Sequence, residues 1–185
     1  MTKGFTLIEL LIVIAVLAVL SAAVVLVLNP AELLKQSRDS TRISDLAAIN
    51  SALALWTADV SAGTWNATTT CSVAGATKPF VGGSACLIAT SSAVNGTGWV
   101  NVDLTAITGG SPLSRLPLDP LNTTTNFYAY RSSSTVGKYK LAANVESTKY
   151  ANGGGSDVES NTKDGGNIVD TGNAGWYEIG SDMSL

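Results

Sequence analysis

From Phe5 to Leu28 the chain reads FTLIELLIVIAVLAVLSAAVVLVL, 24 residues in which only Thr6, Glu9 and Ser21 are polar. At about 1.5 Å per residue this pattern predicts a helix long enough to cross a hydrocarbon core. Asn29-Pro30 then interrupts the run, and a proline there predicts a kink or a broken turn. Beyond it the pattern changes. Across Ala31–Trp56 the apolar residues Ile43, Leu46, Ile49, Leu53 and Trp56 recur at helical spacing, which predicts an amphipathic helix docked on a sheet. Arg38, Asp39, Arg42 and Asp45 fall on its wetter side, with Arg42 and Asp45 close enough for a weak helical ion pair.

Residues from about Asp59 to Gly110 are the least regular, rich in Thr, Ser, Gly and Ala, with a short extended piece at Trp99–Val102 ahead of a helical turn. Leu116-Pro117-Leu118-Asp119-Pro120-Leu121-Asn122 reads as a rigid turn fixed by two prolines. Strand patterns follow at Phe127–Tyr130 and Tyr139–Val145, the second with the period-2 alternation of a half-buried strand. The link Ser132–Gly137 suits a hairpin, and Trp176–Ile179 reads as an edge strand. The fold class is therefore α+β: a long N-terminal helix packed on a small antiparallel sheet.

Composition narrows the chemistry. The 185 residues, less the apolar helix, leave room for one domain. Charged residues make up only 14% and the formal charge is −3, which gives no general argument for nucleic-acid binding. The charge is uneven: Asn144–Leu185 holds seven acidic side chains and two basic ones. Histidine is absent, so Ser-His-Asp and Cys-His catalysis are impossible and the commonest transition-metal ligand is missing. Gly153-Gly154-Gly155 is followed by no Lys-hydroxyl pair and opens no apolar helix, so it is not a phosphate-binding loop. No enzyme activity is expected.

Glu9 is the informative flaw in the apolar run. An unpaired carboxylate in lipid costs several kcal/mol, and the segment contains no basic side chain, so a countercharge must come from outside the helix. Cleavage after Gly4 would create one, because the new α-amino group of Phe5 is cationic below about pH 8. Between staggered copies the amine of one subunit meets Glu9 of the next. A secretory signal peptide fits less well: its apolar region is shorter and its cut, here at Ser21-Ala22-Ala23, follows that region. A plain single-span anchor leaves Glu9 unexplained.

The sequence Gly4-Phe5-Thr6-Leu7-Ile8-Glu9, followed by the long apolar helix, resembles the class III signal of type IV pilins and pseudopilins. The resemblance implies cleavage by a prepilin peptidase between Gly4 and Phe5, N-methylation of Phe5, and filament assembly through Phe5 and Glu9. It divides the chain into a leader (1–4), a membrane and filament-core helix (5–29), an amphipathic half-helix (30–58) and a head (59–185). The Leu-Pro-Leu-Asp-Pro segment, the aromatic strand and the strand ending at Glu146-Ser147 resemble the head of major pseudopilins and the pilins closest to them.

Outside the cytoplasm Cys71 and Cys86, enclosing 14 residues, are expected as a disulfide rather than two buried thiols; two ligands without histidine exclude zinc. Related major pseudopilins bind calcium in their C-terminal loops, which makes Asp157, Asp164, Asn167 and Asp170 calcium candidates, against the alternative of a solvated acidic loop. Asn-x-Thr triplets at Asn66, Asn95 and Asn122 support glycosylation weakly, because none has an acidic residue two positions earlier.

The expected partners are identical subunits, the prepilin peptidase, an assembly platform with its ATPase, and the membrane before assembly. The expected product is an extracellular type IV pilus. The alternative is the periplasmic filament of a type II secretion system, and a more distant one is a membrane-anchored enzyme or ligand-binding domain.

Overall fold

A computed structural model describes residues 4–60, 65–76, 80, 86–151, 153–156, 158 and 176–185, apart from the side chains of 23 and 25–28. Helix α1 (Leu7–Leu28) and helix α2 (Pro30–Asp59) are separated at Asn29, whose backbone is left-handed (φ 40°, ψ 74°). Pro30 is the first residue of α2, where its missing N–H costs nothing, and of the kink or broken turn expected here the chain shows the break. The α1 backbone of 22 residues rises about 33 Å. Its unbroken run of described side chains, residues 7–22, covers only roughly 24 Å. Among the described residues no helix is long and apolar enough to cross a membrane. The membrane-spanning character expected for residues 5–29 therefore rests on the sequence pattern.

The head is a five-stranded sheet in the order β2-β1-β3-β4-β5, formed by β1 (Thr68–Cys71), β2 (Leu87–Ile88), β3 (Tyr128–Ser132), β4 (Tyr139–Asn144) and β5 (Trp176–Gly180). It is mixed rather than antiparallel throughout, because β1 and β2 run parallel. Both strands lie in the stretch read as irregular. Thr68-Thr69-Thr70 lacks an apolar alternation, and a two-residue strand leaves no periodic signal.

Period-2 alternation sends Tyr128, Tyr130, Leu141, Ala143 and Tyr177 toward α2, where they meet Leu46, Ile49, Leu53 and Trp56. The helical stripe thus docks as its spacing predicts. The same core takes Trp65, Trp99, Val100, Val102, Leu104 and Ile107 from the irregular stretch, which contributes far more apolar surface than its composition suggests. The opposite sheet face is covered as well. Phe127, Ala129, Ala142, Trp176 and Cys71 pack with Phe80, which lies inside the Cys71–Cys86 loop. Strand β4 is consequently buried on both faces, with Lys140 paired to Glu178 at 3.2 Å and lying 5.1 Å from the Phe80 ring centroid.

Candidate functional site

Two constellations are candidates: the exposed N-terminal segment, and a buried ionic cluster that holds loops against α2.

Gly4 and Phe5 precede the helix in non-helical backbone, and Phe5 is 83% exposed. A Cβ built at Gly4 meets nothing within 4 Å, so the fold itself does not require glycine there. Thr6 caps α1. Its Oγ1 accepts from the Glu9 N–H at 3.3 Å, while Glu9 Oε2 accepts from the Thr6 N–H at 2.9 Å and the Thr6 hydroxyl at 2.7 Å. The Thr-x-x-Glu spacing of this capping box was available in the sequence. The expectation that Glu9 finds its partner only outside the helix is corrected to that extent: Thr6 supplies two hydrogen bonds, but no countercharge. Along α1 the described apolar side chains face outward, among them Leu7 at 81%, Ile8 at 66%, Val19 at 71% and Leu20 at 56% exposure.

The second constellation overturns the wetter-side reading of α2. Arg42 and Asp39 are fully buried. The Arg42 guanidinium donates from Nε and Nη2 to Asp119 at 2.6 and 3.0 Å, and from Nη1 to Asp39 and Glu146, both at 2.7 Å. Asp39 also accepts the backbone N–H groups of Glu146 and Ser147 at 3.1 and 2.7 Å. Arg38 adds a second cation to Glu146 at 2.8 Å. Asp45 does not pair with Arg42; it accepts the Tyr128 hydroxyl at 2.7 Å.

Burial opposes the charge on Arg42, but hydrogen bonds to Asp119 and Glu146 outweigh it and hold the guanidinium above its ordinary pKa. Burial likewise works against the Glu146 carboxylate, and Arg38 and Arg42 outweigh it, so Glu146 titrates below the usual range. Asp45 goes the other way: desolvation lifts it, the Tyr128 bond opposes that, and Asp119 adds repulsion. The charged side chains of the cluster all pair within the fold, while the buried Ser147 hydroxyl has no hydrogen-bond partner among the described residues. Its chemistry is that of a clamp, fastening Pro117–Asn122 and Glu146–Ser147 to α2.

The remaining predicted residues fall as follows. Cys71 and Cys86 are joined as a disulfide with a Cα–Cα distance of 5.5 Å. Asp157, Asp164, Asn167 and Asp170 lie outside the described residues. Among the described residues no group of three His, Cys, Asp or Glu side chains is arranged to hold a metal.

Residues 1–25 match the prokaryotic N-terminal methylation motif. No match was found among curated proteins or among solved structures.

Proposed function

We propose that this chain, which carries at residues 1–25 the class III signal of type IV pilin and pseudopilin precursors, is the structural subunit of an extracellular type IV pilus. The observation that carries the reading is the signal itself, set directly against an apolar helix whose described apolar side chains point outward and whose one ionisable group is Glu9. A prepilin peptidase cuts between Gly4 and Phe5, and Phe5 is N-methylated. The precursor is held in the membrane by residues 5–29. On assembly the Phe5 amine of one copy neutralises Glu9 of another, so the burial penalty of each charge is relieved only inside the filament. The subunit works as a building block, with the assembly platform and its ATPase supplying the motion and energy.

The major pseudopilin of a type II secretion system is the second reading. The Leu116–Asn122 segment favours it, because that turn and the strands after it resemble a pseudopilin head. The Cys71–Cys86 loop and the Ser/Thr-rich stretch favour a surface pilin, whose decoration meets the outside. Electron microscopy of surface filaments, with mass spectrometry of their subunit, tests the proposal. Surface filaments whose subunit begins at methylated Phe5 are expected. A subunit confined to the periplasm transfers the assignment to secretion, and a chain with Met1 intact ends both readings.

A further inference from the structure

The disulfide and the C-terminal strand stand at opposite edges of the sheet, yet one side chain touches both. Cys71 and Cys86 tie β1 to the start of β2 at the first edge, and β5 is the last strand at the other. Strand β2 holds that first edge poorly by itself. It pairs through two residues, Leu87 opposite Thr70 and Ile88 opposite Cys71, and its side chains are 64% and 62% exposed. So little apolar surface is buried there that the covalent bond keeps the edge in place. Between the cysteines lies Phe80, buried in one cluster with Cys71, Ala129, Ala142 and Trp176. Its ring centroid is 5.1 Å from Lys140 Nζ. Lys140 in turn pairs with Glu178 of β5 at 3.2 Å, and its Nζ donates to the Met183 carbonyl at 3.5 Å. Both members of that ion pair are buried. Contact therefore runs from the disulfide through Phe80 to β5 and the residues after it.

A dry ion pair and a wet one differ in what separation costs. Beneath Phe80, drawing Glu178 away from Lys140 strands two charges out of water, so β5 is held firmly to β4. Once water enters, each charge is hydrated alone and the pair holds little. We propose that the Cys71–Cys86 disulfide is a redox-sensitive lock on β5. Oxidised, it seats Phe80 over the Lys140–Glu178 pair; reduced, it lets Phe80 leave, and β5 opens. The reductant is a dithiol. Its thiolate attacks Sγ of Cys86, which is half-buried where Cys71 is fully buried. The S–S bond breaks, and Cys71 leaves as a thiolate that takes up a proton. The second thiolate of the reductant then displaces Cys86 in the same way, and the reductant departs as a disulfide. An oxidising compartment thus completes the head at both edges of its sheet. The lock belongs to the head alone and does not depend on filament assembly.

Amide hydrogen exchange of the full chain in detergent, followed by peptide mass spectrometry, tests the lock. Dithiothreitol, with alkylation confirming two free thiols, is expected to speed exchange at residues 176–180 by about tenfold, while the paired centre of β3 and β4 keeps its protection. Cys71→Ser/Cys86→Ser should behave as the reduced chain and show no further response to dithiothreitol. Phe80→Leu, with the disulfide intact, removes the ring and should speed the same residues by about threefold. In a reduced chain that stays folded, loosening confined to residues 87–88, with 176–180 unchanged, overturns the inference. If the reduced chain unfolds altogether, Phe80→Leu decides alone: faster exchange confined to β5 supports the lock, and exchange that is unchanged or evenly faster in all five strands overturns it.

Discussion

Arg42 and Asp119, 77 residues apart in the chain, meet through two parallel hydrogen bonds of 2.6 and 3.0 Å, with neither side chain exposed. The fork of the guanidinium matches the carboxylate, so the contact fixes orientation as well as distance. Arg42→Ala strands Asp39 and Asp119 in a dry interior and is expected to destabilise the head by about 3–5 kcal/mol. Arg42→Lys keeps the charge without the fork and should recover only part of that loss. Thermal unfolding of the detergent-solubilised chain measures both, and an unchanged melting temperature for Arg42→Ala would show that the clamp carries no stability.

Acid should act on this cluster in two opposite steps. Asp45 titrates above its ordinary value in the fold, so its protonation favours the folded state; that gain is complete below its unfolded pKa and lost as pH rises through the folded one. Glu146 titrates below its ordinary value, so its contribution is present above about pH 4.5 and lost as pH falls toward its folded pKa. On acidification Asp45 therefore adds stability as it is protonated, while Glu146 removes it below about pH 4.5. Asp45→Asn should remove the first behaviour and Glu146→Gln should blunt the second, read as unfolding midpoints across pH.

The disulfide seats Phe80 on the outer sheet face, where it covers Cys71, Phe127 and Ala129. Cys71→Ser/Cys86→Ser is expected to cost about 3 kcal/mol through the freed loop. Phe80→Ala, with the disulfide intact, should cost about as much by opening a cavity. Peptide mapping without reductant should recover the two cysteines linked; free alkylation of both would remove the staple from the account.

Gly4 faces open space, so a larger side chain there leaves the fold undisturbed. Gly4→Val should nevertheless accumulate full-length precursor, because the restriction belongs to the peptidase that must reach the backbone. N-terminal sequencing decides it: a normal yield of chain starting at Phe5 from the variant would show that position 4 does not need glycine, and a start elsewhere in the unaltered chain would contradict the assigned cut.

Glu9→Ala should leave membrane insertion intact, since a carboxylate is costly in lipid. Filament yield should fall strongly, because the Phe5 amine of a neighbouring copy loses its countercharge in a dry setting. Normal filaments at equal membrane-bound subunit would mean that Glu9 serves only the Thr6 cap, worth about 1 kcal/mol.

The apolar stripe of α2 was legible because Leu46, Ile49, Leu53 and Trp56 repeat at the helical period. The clamp was not. A run of charges on a helix ordinarily marks its wet face, and nothing near Arg42 in the sequence announces carboxylates 77 and 104 residues away. Asp119 carried a faint signal, being a charge between two prolines in a turn that has no need of one. Lys140 misled in the same way: on β4 it marks a solvent face by alternation, yet Phe80 and Glu178 enclose it. Thr6 was readable from the Thr-x-x-Glu spacing, since a carboxylate at a helix start can be satisfied by a neutral donor three residues earlier as well as by a countercharge.

The single left-handed residue at Asn29 has a mechanical meaning. A continuous helix from Leu7 to Asp59 would resist bending along its whole length, like a beam. Here the hydrogen-bonded ladder stops at Leu28 and restarts with Asn29 accepting from Glu32 and Leu33 at 3.0 and 3.3 Å. Pro30 has no N–H to bond across the gap. Tension on the head therefore reaches α1 through one residue's pair of backbone torsions. Compliance is concentrated at that joint, which in the proposed filament would let the shaft flex while head and helix each keep their shape.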